Sequence, residues 1–179
     1  MNKYSEFWAK KPLEGQSAGE SLVAHTLRVW ATFESLYQRW PLLKTGSMLR
    51  LWSRAALAVI LHDFGKCAGG FQKMLRGGNS FPYRHEVISA GLVPYILPAD
   101  ISENHIQDLP WVVAGVLSHH KDLSHIMQNY PQPYQIYPPI PDNLETLAGE
   151  LDQDFFTNVP GIWQEIIELI KKNRVFQQM

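Results

Sequence analysis

Apolar positions recur at three- and four-residue steps along most of the chain. Leu22, His25, Val29, Phe33, Leu36 and Trp40 make one such series, which Pro41 closes, so a helix is predicted over residues 22–40. Met48 to His62 is a second helix, richer in apolar residues and therefore expected at the centre. Ala68 to Leu75 predicts a short helix closed by Gly77 and Gly78, and a loop follows over 79–84. The next helix is expected from His85 to Tyr95, with Pro94 near its end. Another runs from Leu109 to His120, in which Trp111, Val112, Ala114, Gly115, Val116 and Leu117 read as core. Five prolines in YPQPYQIYPPIPDN, residues 130–143, exclude both helix and central strand there. Asp142 and Asn143 offer a cap for a helix near 143–156, and Pro160 is placed to start the last one, Gly161 to Phe176. No run alternates convincingly at period two. The predicted fold class is all-α, as a single domain over residues 1–179.

Composition changes this picture little. A chain of 179 residues can bury a sizeable core, and 45% hydrophobic with 18% charged residues is ordinary for a globular domain. The longest uninterrupted apolar run, Ala55 to Leu61, is far too short to span a membrane. The opening MNKYSEFWAKKP has no apolar h-region, so a cytoplasmic location is expected. The single cysteine, Cys67, excludes an intramolecular disulfide and fits a reducing compartment; it reads as packing, with a nucleophile as the lesser alternative. A net charge of −1 carries no global sign of nucleic-acid binding. The local distribution says more. No acidic residue lies between Asp63 and Glu86, whereas Lys66, Lys73, Arg76 and Arg84 do. Alone, such a run is a solvated face; beside a metal site, Lys73, Arg76 and Arg84 become a candidate phosphate track.

The chemistry concentrates in LHDFGKCAGGFQKML, residues 61–75, where the apolar AALAVIL runs straight into a histidine and an aspartate. Seven histidines occur, and the positions of five single them out. His25 lies on the apolar face of its helix, His62 ends an apolar helix beside Asp63, His85 opens a helix, and His119 and His120 end another. His105 and His125 stand in polar contexts and are read as non-ligands. Helix ends converging on one crevice can present imidazoles and a carboxylate around ions. There is no HExxH and no pair of CxxC motifs. A carboxylate beside a histidine can bridge two cations, and imidazoles suit manganese, iron, cobalt, nickel or zinc better than magnesium. Two ions about 3.5–4 Å apart would activate water and stabilise both the attacking and leaving oxygens of a phosphodiester.

At these residues the chain resembles the HD phosphohydrolase superfamily, whose signature is HDxGK with an upstream histidine. The longer string HDFGKCAGGFQKML, followed by RHEVISAG and LSHH, resembles the HD nuclease of type I CRISPR interference over residues 18–122. The resemblance implies an HD-domain helical bundle with a dinuclear metal site in a crevice. His25, His62 and Asp63 would hold one ion, with a further aspartate from a later helix. Asp63 would bridge to a second ion held by His85, His119 and His120, and Lys66 would neutralise charge on the phosphoryl oxygens. Two divalent ions are implied, manganese first, with iron, cobalt, nickel or magnesium as alternatives. The implied substrate is single-stranded DNA. The implied partners are a superfamily-2 helicase, fused or separate, and a CRISPR surveillance complex; the chain itself shows no Walker A string. Two other readings stay open: a phosphohydrolase acting on nucleotides or cyclic nucleotides, which would need a closed, base-sized pocket, and a non-catalytic interaction module with a degenerate site. Gly65 is expected to provide the tight exit that turns Lys66 back toward the site, and Phe71 and Gln72 are expected to pack and position helices. One departure stands out. Asp152 and Asp154, in GELDQDFF, are weak matches to the late aspartate, and the chain is expected to end before it.

Overall fold

The structure, a computed structural model, describes residues 4–40, 46–96, 108–120, 151 and 153–178, with the side chains of 46, 47, 153, 154 and 178 left aside. The Pro-rich stretch, most of the helix expected near 143–156, His105, His125, Asp152 and the Asp154 side chain lie outside what is described. Six α-helices are present among the described residues: α1 (Leu22–Arg39), α2 (Gly46–Leu61), α3 (Gly69–Leu75), α4 (His85–Ile96), α5 (Leu109–Ser118) and α6 (Gln153–Ile170). The β-structure described is one isolated bridge, Trp8 to Ser21. The fold is all-α.

Helix α1 begins where the Ser21 hydroxyl accepts the Ala24 amide, an ordinary N-cap. Its buried stripe keeps Leu22, His25 and Phe33 of the expected series and departs from it elsewhere. Leu22, Val23, Thr26, Trp30, Phe33 and Tyr37 face inward, while Leu36 and Trp40 are about half exposed. The aromatic residues decide the rotation: Trp30 and Phe33 pack together, Phe33 and Tyr37 both meet Trp52 of α2, and Trp30 meets Phe176. Burying those rings removes more apolar area from water than burying Leu36 would. Trp111 also departs from expectation. It is exposed on α5, where Arg54 stacks over its ring, while Val112 and Val116 carry the buried face. A short helix packed on α2 and α4 along one side needs only one apolar stripe.

Pro160 does not start the last helix. It lies inside α6, on an exposed position, and a single stripe of Phe155, Val159, Ile162, Ile166 and Ile170 is buried on both sides of it. Proline removes one backbone hydrogen bond here. Continuous burial against α1 and the centre of the molecule outweighs that loss.

That centre is a 3₁₀ turn, Phe64–Cys67, of which every residue is buried. Helices α3, α4 and α6 all pack on it. The role of Gly65 differs from the expected one, because the left-handed glycines among the described residues are Gly15 and Gly77. A Cβ on Gly65 would sit 2.1 Å from the His85 carbonyl oxygen and 2.9 Å from Ile88 Cβ. The glycine therefore lets α4 approach the turn, and the Gly65 amide donates to Ser89 Oγ at 2.7 Å across the contact. Gln72 is the second fastener. Its side chain donates to the Trp8 and Lys66 carbonyls at 2.8 and 2.7 Å and accepts from the Trp8 amide at 2.9 Å, tying the N-terminal segment to the turn.

A methyl group at position 65 has backbone in its way and cannot be accommodated by a side-chain shift. Gly65→Ala should lose about 3 kcal/mol or more of unfolding free energy in urea titration, the upper range for overpacking. Gly69→Ala, which meets nothing within 4 Å, should stay near wild type.

Candidate metal centre

Four elements deliver the predicted ligands to one point. His25 comes from the fourth residue of α1, His62 and Asp63 from the turn after α2, His85 from the first residue of α4, and His119 and His120 from the end of α5. Asp63 is buried at their centre with 1% relative exposure. Its Oδ2 lies 3.2 Å from His25 Nε2 and 3.3 Å from His62 Nε2. Its Oδ1 lies 3.3 Å from His85 Nε2 and 3.5 Å from His119 Nε2. His120 Nε2 stands 3.1 Å from His85 Nε2. The donor atoms fall into two groups that share Asp63: His25, His62 and Asp63 on one side, and Asp63, His85, His119 and His120 on the other. The first group is wholly buried. The second opens to solvent at His120.

Hydrogen bonding shows what these groups lack. His62 Nδ1 lies 2.7 Å from the Val59 carbonyl and His119 Nδ1 lies 2.5 Å from the Val116 carbonyl. A carbonyl only accepts, so both Nδ1 atoms carry hydrogen, and in the neutral ring each Nε2 presents a lone pair. Those lone pairs point at a carboxylate, which also only accepts. Asp63 Oδ1 and His119 Nε2 are buried with no hydrogen-bond partner. Acceptors facing acceptors in a buried site need a cation between them, and a His and Asp donor set suits a divalent transition metal.

The electrostatics agree. Burial alone would favour neutral Asp63; a proton on any of His119, His25, His62 or His85 facing it pulls its carboxyl far below the usual range, and with those rings neutral the Lys66 ammonium still donates to it at 2.8 Å. Partial burial, with His119 and His85 alongside, pushes His120 down to about 4, which keeps that ring neutral at physiological pH and able to bind metal. Burial and the nearby Asp63 charge push the Cys67 thiol up, so it stays protonated and is not a nucleophile. Lys66 is buried beside the site, its Nζ donating to Asp63 Oδ2 at 2.8 Å and to the Ala9 carbonyl at 3.2 Å.

A family model described as Cas3, HD domain, matches residues 8–168. The chain belongs to that family. It is therefore the HD domain of a metal-dependent CRISPR nuclease, a class of hydrolase that binds divalent metal. No curated protein and no solved structure matches the chain. No helix among the described residues is long and apolar enough to cross a membrane.

The basic run of this Cas3-type HD domain is placed unevenly. Lys73 is exposed on α3. Arg76 is exposed too, but its guanidinium bonds the Gln72 side chain at 2.9 Å and the Glu6 carbonyl, and stacks 4.5 Å over Trp8. Arg84 donates to the buried Glu86 carboxylate at 2.6 Å. Sequence reasoning missed Glu20 and Arg28, which contact the outer nitrogen of His25 at 3.2 and 3.0 Å. Helical spacing could have flagged Arg28, three residues after His25 on α1. Glu20 precedes the helix and left no such signal.

Removing the Arg84 side chain leaves Glu86 buried without its cation. Burial raises the Glu86 pKa, but its own backbone amide and Arg84 outweigh this and hold it lowered. A lowered carboxyl contributes stability above its ordinary pKa, and that stability is lost as pH falls through the lowered value. Arg84→Ala should therefore cost on the order of 3 kcal/mol at pH 7, and the gap from wild type should shrink in acid. Chemical denaturation across pH reads both.

Proposed function

We propose that this HD domain cleaves single-stranded DNA in CRISPR interference, with His25, His62, Asp63, His85, His119 and His120 as ligands of two divalent ions, manganese foremost. The observation that carries the reading is the set of inward lone pairs converging on one buried, ionised carboxylate. Ions held there would activate water and neutralise charge on the phosphodiester oxygens. The residues supply the rest. Asp63 serves both positions, one oxygen toward His25 and His62 and the other toward His85 and His119. Backbone carbonyls of Val59 and Val116 lock two rings in the ligating tautomer. Lys66 holds positive charge against Asp63 from a buried position, where its electrostatic effect on a bound phosphate would be poorly screened.

A strand would enter where His120 is exposed, the His25–His62 side being closed by burial. Lys73 is the basic side chain of the run most open to a phosphate, while Arg76 ties the helix that carries it to the N-terminal segment and Arg84 is engaged by Glu86. A superfamily-2 helicase, fused or separate, would deliver the strand, acting with a CRISPR surveillance complex in the cytoplasm.

Asp63→Asn should keep the helical circular dichroism of the wild type while cleavage falls on the order of 10³-fold or more, since one carboxylate serves both positions. A folded Asp63→Asn protein that cuts at the wild-type rate would sink the two-ion reading.

Cleavage should stop in chelator and return with Mn²⁺, and single-stranded DNA should be cut in preference to duplex, with binding that weakens as salt rises. A panel run beside it, with nucleotides and cyclic nucleotides at equal phosphate concentration, distinguishes the small-molecule phosphohydrolase. Turnover confined to that panel would replace the nuclease reading.

A further inference from the structure

His25 is supported unlike its neighbours. The outer nitrogens of His62 and His119 rest on backbone carbonyls three residues earlier, which no side-chain change removes. His25 lies inside α1, where the Ser21 carbonyl one turn back already accepts the His25 amide at 2.9 Å. Its Nδ1 turns outward past the helix start and meets the Glu20 carboxylate, Oε2 at 3.2 Å. Arg28 grips that carboxylate with both ends of its fork, Nε to Oε1 and Nη2 to Oε2, each at 2.9 Å.

The same Arg28 Nη2 lies 3.0 Å from His25 Nδ1, so two partners compete for one nitrogen. Arginine only donates and the carboxylate only accepts. If Nδ1 carries hydrogen it bonds Glu20, and Nε2 offers its lone pair toward Asp63. If Nδ1 is bare it accepts from Arg28, and Nε2 then carries the hydrogen and cannot bind an ion. Only the first arrangement ligates.

We propose that Glu20, held by Arg28, is a positioning residue that keeps the His25 ring in its ligating tautomer and so governs occupancy of the His25–His62–Asp63 position alone. This rests on the metal-centre reading above. The position depends on such support because three described residues supply donors to it, against four at the other. A carboxylate behind a histidine ligand also raises the basicity of the ring, which a neutral carbonyl does less.

The test is calorimetric titration of the metal-stripped full chain with Mn²⁺. Wild type should bind in two steps of unequal affinity. Glu20→Ala should weaken the weaker step about 10–100-fold and leave the tighter one unchanged, whereas His120→Asn should do the reverse. Nitrogen-15 spectra of the metal-free protein give a second readout: His25 should be a single Nδ1–H tautomer in wild type and should lose that preference in Glu20→Ala. Should Glu20→Ala fail to fold, Glu20→Gln keeps an acceptor oxygen but loses the charge and the arginine clamp, and should weaken the same step. Equal weakening of both steps, or no change in either, overturns the proposal and leaves Glu20 a structural residue of the helix start. Wild-type protein that takes up no Mn²⁺ overturns the metal-centre reading itself, and this one with it.

Discussion

Everything in this domain is arranged around one buried carboxylate that must stay charged. Taking Asp63 out of water would by itself favour the neutral acid. The Lys66 ammonium opposes that preference, and four imidazoles reach Asp63 from four separate elements, enclosing places where a cation would hold it ionised. Small displacements of any helix would leave a charge or a lone pair without its counterpart. The fold is therefore tightest where the chemistry is: the 3₁₀ turn after Asp63 is fully buried, and a glycine inside it admits the backbone of α4 at a distance no side chain allows.

Rigidity at the site comes from acceptors that cannot move. Val59 and Val116 lie in well-packed helices, and their carbonyls orient His62 and His119 without any dedicated side chain. Gln72 does the equivalent for the N-terminal segment, whose Ala9 carbonyl in turn fixes the Lys66 ammonium. The site is graded in depth. His25, His62 and Asp63 are enclosed, while His120 stands at the solvent boundary as a neutral ring. Solvent thus meets the open side while the closed side keeps its charges poorly screened.

Much of this could be read along the chain. Helix periodicity marked α2, α3, α4 and α5 nearly to their ends, because the 3.6-residue repeat of apolar positions is a local property. The five clustering histidines were identified by where they stood: at helix ends or on an apolar face, beside an aspartate. Pro160 misled for the opposite reason. Its local preference is to start a helix, and only the stripe from Phe155 to Ile170, buried as a unit, shows why the helix runs through it.

The sequence by itself determined the all-α class, the HD doublet with its separated histidines, and the family, since each depends on residue identity and short spacing. The tertiary structure alone decided how the charges pair. Arg76 and Arg84 look like members of one basic run, yet the first clasps Glu6, Trp8 and Gln72 and the second neutralises Glu86. Lys66 meets a carbonyl 57 positions away and Gly65 a hydroxyl 24 away. Such partners are chosen by packing across the core, where a polar group must find whichever counterpart the neighbouring helices bring within reach. Glu20 shows the same limit at short range: its value to His25 lies in direction, not spacing, and direction exists only once the chain has folded.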